Sequence, residues 1–271
     1  MSDMLTVPSR RTPATGRLMA AGLLIVIALL AIAGPDTFGL DPARQSLMDT
    51  LAPAGQGHLL GTDHLGRDMA ARLLSGARLT LGLAVLSVVT AAVPGTALGI
   101  LAGWFGSWPD RVATALSDAV LALPGLLLVL MLAAISPGSW WALYVGLSLT
   151  LWVEYFRFTR AQVRILVRAP AVEASRMLGF GRAYIVRRHL LPELLPGLLT
   201  VAAFGAATAV TAVAALGFVG VGLRPPTAEW GVMMIDLLPY WREAPWLLLQ
   251  PVICLAVTVI ALHIAAGRTL R

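Results

Sequence analysis

Apolar residues fall along this chain in six long stretches, each closed by a polar interval rich in Gly, Pro or Arg: about Leu18 to Gly34, Leu79 to Trp104, Val112 to Ile135, Trp140 to Phe156, Gly197 to Leu223 and Trp246 to Ala266. A helix needs roughly 20 apolar residues to cross ~30 Å of hydrocarbon, and each run approaches or exceeds that length. Inside a bilayer no water pairs with free backbone groups, so such runs are expected to be helices. The pattern predicts an all-α, polytopic membrane protein with six transmembrane helices. It places a tail at 1–17 and a single transmembrane domain at 18–271, with three long polar intervals at 35–78, 157–196 and 224–245.

Composition agrees: 58% of residues are hydrophobic and 13% charged, with a mean hydropathy of +0.81, above that of a soluble domain. The first run follows Arg10, Arg11 and Arg17 as a signal peptide would. It is long and lacks a convincing small-x-small cleavage site, so it is read as a retained first helix. All 20 basic residues are Arg, so arginine alone tests the positive-inside rule. With the N-terminus in the cytoplasm, the inner side holds Arg10, Arg11, Arg17, Arg111, eight arginines from Arg157 to Arg188, Arg268 and Arg271. The outer side then holds Arg44, Arg67, Arg72, Arg78, Arg224 and Arg242. Both termini are therefore expected to be cytoplasmic, with 35–78 and 224–245 as outer loops and 157–196 as an inner loop. The net charge of +6 follows this topology instead of forming an aromatic-interleaved patch, which argues against nucleic acid as a partner. Cys254 falls within the last run, where no intramolecular disulfide is possible and a small packing residue suffices.

Long loops tend to carry function. In the first outer loop, Met69, Leu73 and Ala77 recur at helical spacing while Asp68 and Arg72 stand at i,i+4 as an opposite-charge pair. An amphipathic helix along the outer membrane surface is expected there. His58, Asp63 and His64 have a spacing that no coordination geometry dictates, so they read as loop and cap residues and no metal is expected. In the inner loop, Pro170 suits a first helical turn. Ala171, Ala174, Ser175 and Leu178 share one face, and Gly179 suits a left-handed C-cap. A second short helix is expected from Ala183 to Leu190, stopped at Pro192. A face of Ala and Ser permits close backbone approach and suits a groove on a partner. A solvated basic loop that only enforces topology fits the spacing as well.

The stretch Glu173-Ala174-Ser175, then Gly179, then Ile185 and Leu191-Pro192 resembles the EAA motif of permease subunits in binding-protein-dependent ATP-binding-cassette (ABC) importers. Ser175 stands in the third place, and Ile185 lies earlier than the pattern sets its isoleucine. "HLLGTDHLGRD" from His58 to Asp68 and "GFVGVGLRPPTAEWGVMM" from Gly217 to Met234 are similar to segments of the second permease of the dipeptide, oligopeptide and nickel importers. The resemblance implies a type I importer permease fold in a bacterial inner membrane. It also implies that the short inner helices seat in a cleft of a cytoplasmic ATPase. Carried over, Glu173, Ala174, Ser175 and Gly179 would couple the chain to that ATPase, with Arg176 and Arg182 flanking. Implied partners are a homologous second permease, two cassette ATPases, an extracytoplasmic solute-binding protein and membrane lipid. No cofactor is expected on this chain, and ATP with Mg would sit on the ATPases. A phosphate-binding loop of the G-x4-G-K-[ST] type needs a lysine, and this chain has none.

Within the apolar runs, Gly95, Gly99 and Gly103 form a small-xxx-small stripe expected to pack against another helix. Phe204, Thr208 and Thr211 share a weakly polar face of the fifth run, which suits either a solute path or helix packing. Asp118 is the acid that lies clearly within a run; Arg111, on the same helix, is the partner the sequence offers. Pro124 and Gly125 should kink that helix. The chain ends "ALHIAAGRTLR", with His263 where the family commonly has Asn and without its acidic pair. A secondary transporter driven by an ion gradient is the alternative class, while neither H-E-x-x-H nor G-x-S-x-G supports an enzyme. Peptide, nickel and metal chelate all remain open as cargo, and "GTDHLGRD" with "PTAEWGVMM" leans towards the metal branch.

Overall fold

In a computed structural model of the chain, residues 14–267 are described apart from 38, 40 and 56. Arg10, Arg11, Arg268 and Arg271, and with them both termini, lie outside the described residues. The helices in chain order are α1 (Ala14–Thr37), α2 (Met69–Phe105), α3 (Ser107–Leu121), α4 (Gly125–Ile135), α5 (Trp140–Leu166), α6 (Pro170–Met177), α7 (Arg182–Ile185), α8 (Leu191–Phe218), α9 (Trp230–Leu237) and α10 (Pro245–Ala266). The fold is all-α.

Among the described residues four helical stretches, α1, α2, Arg182–Phe218 and α10, are long and apolar enough to cross a membrane. α3 and α4 together make a fifth, broken by a 73° bend. The expected kink is thus a full break, because Pro124 has fixed φ, lacks an N–H and pushes the residue before it out of the helical region. The expected sixth span, α5, has 27 residues. Glu154, Arg157, Arg160 and Arg164 make its second half less apolar than the other five.

α2 and α5 pack along each other at the glycine stripe. A Cβ on Gly95 would lie 2.5 Å from the Trp152 carbonyl oxygen, one on Gly99 2.6 Å from Thr159 Cβ, and one on Gly103 2.8 Å from Val163 Cβ. The stripe lets two backbones approach closely, as small residues do between membrane helices. α8 packs on α2, α5, α9 and α10, while α1 lies against α2 and α10. Trp140 and Tyr144 stack at 5.6 Å with Trp141 edge-on at 5.0 Å from Trp140, an aromatic cluster of the kind that anchors a helix end at an interface.

Among the described residues no separate α-helix lies between α1 and α2. Met69, Leu73 and Ala77 open the 37-residue α2 itself and are buried in the main core. Nor do Asp68 and Arg72 pair. Asp68 accepts the Ala71 N–H at 2.8 Å, capping one of the free donors at the start of α2, and its other oxygen lies 2.8 Å from His58 Nδ1. Arg72 instead lies 3.4 Å from Asp63 and 3.6 Å from Asp236. Asp63 also accepts the Leu65 N–H at 2.8 Å and the Arg67 Nε–H at 2.6 Å. The "GTDHLGRD" stretch is therefore a turn wound around one buried carboxylate and tied to the end of α9.

The "GFVGVGLRPPTAEWGVMM" stretch is wound around another. Glu229 is fully buried and caps α9, accepting from the Gly231 N–H at 2.9 Å and the Val232 N–H at 3.0 Å. Burial pushes its carboxyl above the ordinary value. A Cβ on Gly217 would stand 2.2 Å from Glu229 Oε2, so only glycine leaves room for the carboxylate. Next to it, Trp230 Nε1–H donates to the Leu73 carbonyl at 3.2 Å.

Candidate functional site

The two short helices of 157–196 form a bracket. Pro170 opens α6 at its first position, where a missing N–H costs nothing. α6 closes in a Schellman turn: Phe180 N–H donates to Ser175 O at 3.1 Å and Gly179 N–H to Arg176 O at 3.0 Å. Gly179 holds the left-handed φ of +80° that this closure needs.

Pro192 does not stop the second helix. Arg182–Phe218 runs as one helix, with a π-helical turn at Val186–Leu190 in which Leu191 N–H reaches back five residues to Val186 O. The wider turn makes room for the Pro192 ring, which would collide with the carbonyl four residues earlier in a regular helix. The bracket therefore feeds directly into α8.

Four side chains tie α6 and α7 to their surroundings. Ser175 Oγ–H donates to Ala171 O at 2.9 Å. With that proton committed, His189 Nε2–H donates to Ser175 Oγ at 2.9 Å. The Arg176 guanidinium lies 5.0 Å from the Trp104 ring and that of Arg182 5.1 Å from Phe105, both at the end of α2. Ile185, Leu190 and Leu194 are each at most 1% exposed; Leu190 and Leu194 pack with Val163 of α5.

The outward face of α6 differs from the Ala171, Ala174, Ser175 and Leu178 face the spacing predicts. Val172 and Ser175 turn inward, the first because it is apolar and the second because its hydroxyl has partners. Glu173 and Ala174 face out, with Met177 86% and Leu178 76% exposed. The face is an acid, a small residue and two large apolar side chains, none covered by this chain.

Asp118 pairs with Arg157, not Arg111: Arg157 Nη2–H donates to its Oδ1 at 2.6 Å while Nε–H donates to Ser117 Oγ at 3.0 Å. The sequence reading missed the neighbouring Asp110. Arg160 donates to it from both Nε and Nη2, and Arg164 Nη2–H donates to its Oδ2 at 2.6 Å. The available signal was spacing: Arg157, Arg160 and Arg164 share a face of α5, as Asp110, Ser117 and Asp118 do on α3.

Phe204, Thr208 and Thr211 are exposed along one side of α8, whose other side buries Ala207, Ala209 and Val210. Thr211 Oγ–H donates to Ala207 O at 2.8 Å, and Phe204 meets His263 of α10 edge-on at 5.5 Å. His58, Asp63 and His64 have separate partners; His64 stacks on Tyr240 at 5.1 Å. Among the described residues no three His, Cys, Asp or Glu side chains gather where a metal could sit.

Residues 95–268 match the family described as binding-protein-dependent transport system inner membrane component. The di/tripeptide transport system permease protein DppC of Pseudomonas aeruginosa (strain UCBPP-PA14) is 34% identical over 89% of this chain and 82% of its own length. The dipeptide transport system permease protein DppC of Alkalihalophilus pseudofirmus (strain ATCC BAA-2126 / JCM 17055 / OF4) is 32% identical over 87% of this chain and 78% of its own. Among solved structures, a chain of the inward-facing MetNI methionine ABC transporter superposes with a TM-score of 0.59 at 24% identity, covering 73% of this chain and 94% of that one. That likeness shows the fold, of the type I importer class. Members of this family are membrane permease subunits, not enzymes, and carry no cofactor of their own; nothing favours the gradient-driven alternative. The chain belongs to the family of binding-protein-dependent transport system inner membrane components and is the permease subunit of an ABC importer, working with ATPase and binding-protein partners.

Proposed function

We propose that this chain forms half of the translocation path of an importer for short peptides and that α6 is the contact through which a cassette ATPase drives it. The observation that carries the coupling reading is the contrast between the two sides of α6. The outward side, Glu173, Ala174, Met177 and Leu178, is uncovered. The other side is bonded to α2 through Arg176 and to the π turn that leads into α8 through Ser175. Force applied at α6 thus reaches two membrane helices without passing through a flexible linker.

In this reading both termini and 157–196 are cytoplasmic, 35–78 and 224–245 are outside, and α5 is the sixth span. Its arginines lie towards the cytoplasmic end, where they satisfy the positive-inside rule and hold α3. A homologous second permease completes the path, ATP and Mg bind on two ATPase subunits, and a solute-binding protein delivers cargo to the outer loops. Peptide is preferred to nickel or a metal chelate because the similar permeases are named for di- and tripeptides. The exposed Phe204, Thr208 and Thr211 face is assigned to the path, since weak hydroxyl contacts let a solute pass without trapping it.

The test is uptake by the reconstituted complex. ATP-dependent accumulation of a labelled dipeptide, absent with nickel alone as cargo, is the expected result. Ala174→Arg should abolish uptake while subunits that do not touch α6 still copurify. Dipeptide uptake by this chain alone, driven by an ion gradient, would overturn the proposal.

A further inference from the structure

At the end of α2 two cavities of opposite character meet. One is an apolar groove of about 560 Å³ between α2 and α3, walled by Leu98, Leu101, Phe105, Trp108, Val112 and Leu116. The other is an open cleft of about 610 Å³ between the end of α2 and the α6–α7 bracket, holding Arg176 and Arg182 beside Trp104 and Phe105. Phe105 lines both. No Asp or Glu lines either cavity, and among the described residues neither arginine has a carboxylate partner; each guanidinium rests on an aromatic ring.

Two unneutralised guanidiniums set beside an apolar trough have one complementary ligand form: an anionic head joined to a hydrocarbon chain. Arginine forms forked hydrogen bonds to phosphate oxygens, basic pockets between membrane helices on the cytoplasmic side take anionic head groups, Trp favours the head-group level, and Arg reaches it by laying its stem along apolar surface. We propose that this pair of cavities is a binding site for an anionic phospholipid of the cytoplasmic leaflet, with its phosphate between Arg176 and Arg182 and an acyl chain along the α2–α3 groove. A lipid seated there would fill the space behind α6 and stiffen the bracket where it meets α2. The inference rests on the cytoplasmic placement of α6 proposed above.

The experiment is native mass spectrometry of the whole complex in nanodiscs, made from phosphatidylcholine or from equal parts phosphatidylcholine and phosphatidylglycerol. The native chain should retain phosphatidylglycerol in preference to phosphatidylcholine. Arg176→Gln with Arg182→Gln should lower that preference by roughly fivefold per arginine, the effect of about one basic residue at a charged membrane surface. Val112→Trp, at an exposed position on the groove wall, should lower retention of both lipids by obstructing the acyl trough. Equal retention of the two lipids by the native chain, an unchanged preference in the double variant, or no retained lipid because a second permease fills the groove would each overturn the proposal. The same spectra report whether ATPase subunits are present, so a failure of the coupling reading is seen separately from a failure of the lipid site.

Discussion

Gly99 faces Thr159 across the α2–α5 contact with no room for a methyl group, whereas Gly22 of α1 has nothing within 4 Å of where its Cβ would lie. Gly99→Ala should therefore cost about 1–3 kcal/mol through overpacking, read as a lower melting temperature of the purified complex, while Gly22→Ala leaves that temperature unchanged. Asp63 is a harsher case, since it is 1% exposed and pairs with Arg67 and Arg72, both nearly as buried. Asp63→Asn leaves two buried guanidiniums with the more distant Asp236 as their one remaining acidic neighbour, a loss of about 3–5 kcal/mol that should appear as failure to recover folded complex. Glu229 gives a pH signature. Burial raises its carboxyl above the ordinary 4.5, so the folded chain holds a proton that the unfolded chain releases. The stability this group contributes is full below 4.5, falls as pH rises through the window up to the raised value, and is gone above it. Melting curves across that window should show Glu229→Gln gaining on the native chain as pH rises; parallel curves would contradict the buried-acid account.

At the scale of elements, the α3–α4 unit is held to α5 by carboxylate–arginine pairs at Asp110 and Asp118. The Asp118 pair is half-exposed and contributes little. Asp110 is 8% exposed and carries the two guanidiniums of Arg160 and Arg164. Asp110→Asn should thus loosen α3, broadening spin-label distances between α3 and α5, while Asp118→Asn leaves them unchanged. The apolar spans of α1, α2, α8 and α10, the glycine stripe and the α6 turn were legible in the sequence because each depends on local signals: apolar length, a period of four, and Pro and Gly at opposite helix ends. Three features were not legible because they depend on long-range pairing. Arg72 abandons the adjacent Asp68 for Asp63 and Asp236, since Asp68 is spent on capping α2. Asp118 finds Arg157 on another helix. Pro192, a stop signal by local rules, is absorbed by a π turn while neighbouring Leu190 and Leu194 anchor the helix to α5.

Over the whole molecule, the 58–68 segment, α9 and the start of α2 form one cap held by buried charge, and the α6–α7 bracket stands apart from it in sequence, reaching α2 at Trp104 and Phe105. α2 joins the two, opening in the cap at Met69 and closing under the bracket at Phe105. α8 leaves the bracket through the π turn and ends at Phe218, beside the segment that buries Glu229. Two continuous helices thus join the cap to the bracket, and the coupling proposed for α6 takes them as its route. The most direct test is site-specific cross-linking in the assembled complex, after replacing Cys254, the single cysteine, with alanine. Ala174→Cys on the outward face of α6 is predicted to cross-link to the ATPase subunit, and Leu59→Cys in the cap is predicted not to. An ATPase adduct at Leu59→Cys with none at Ala174→Cys would contradict the account.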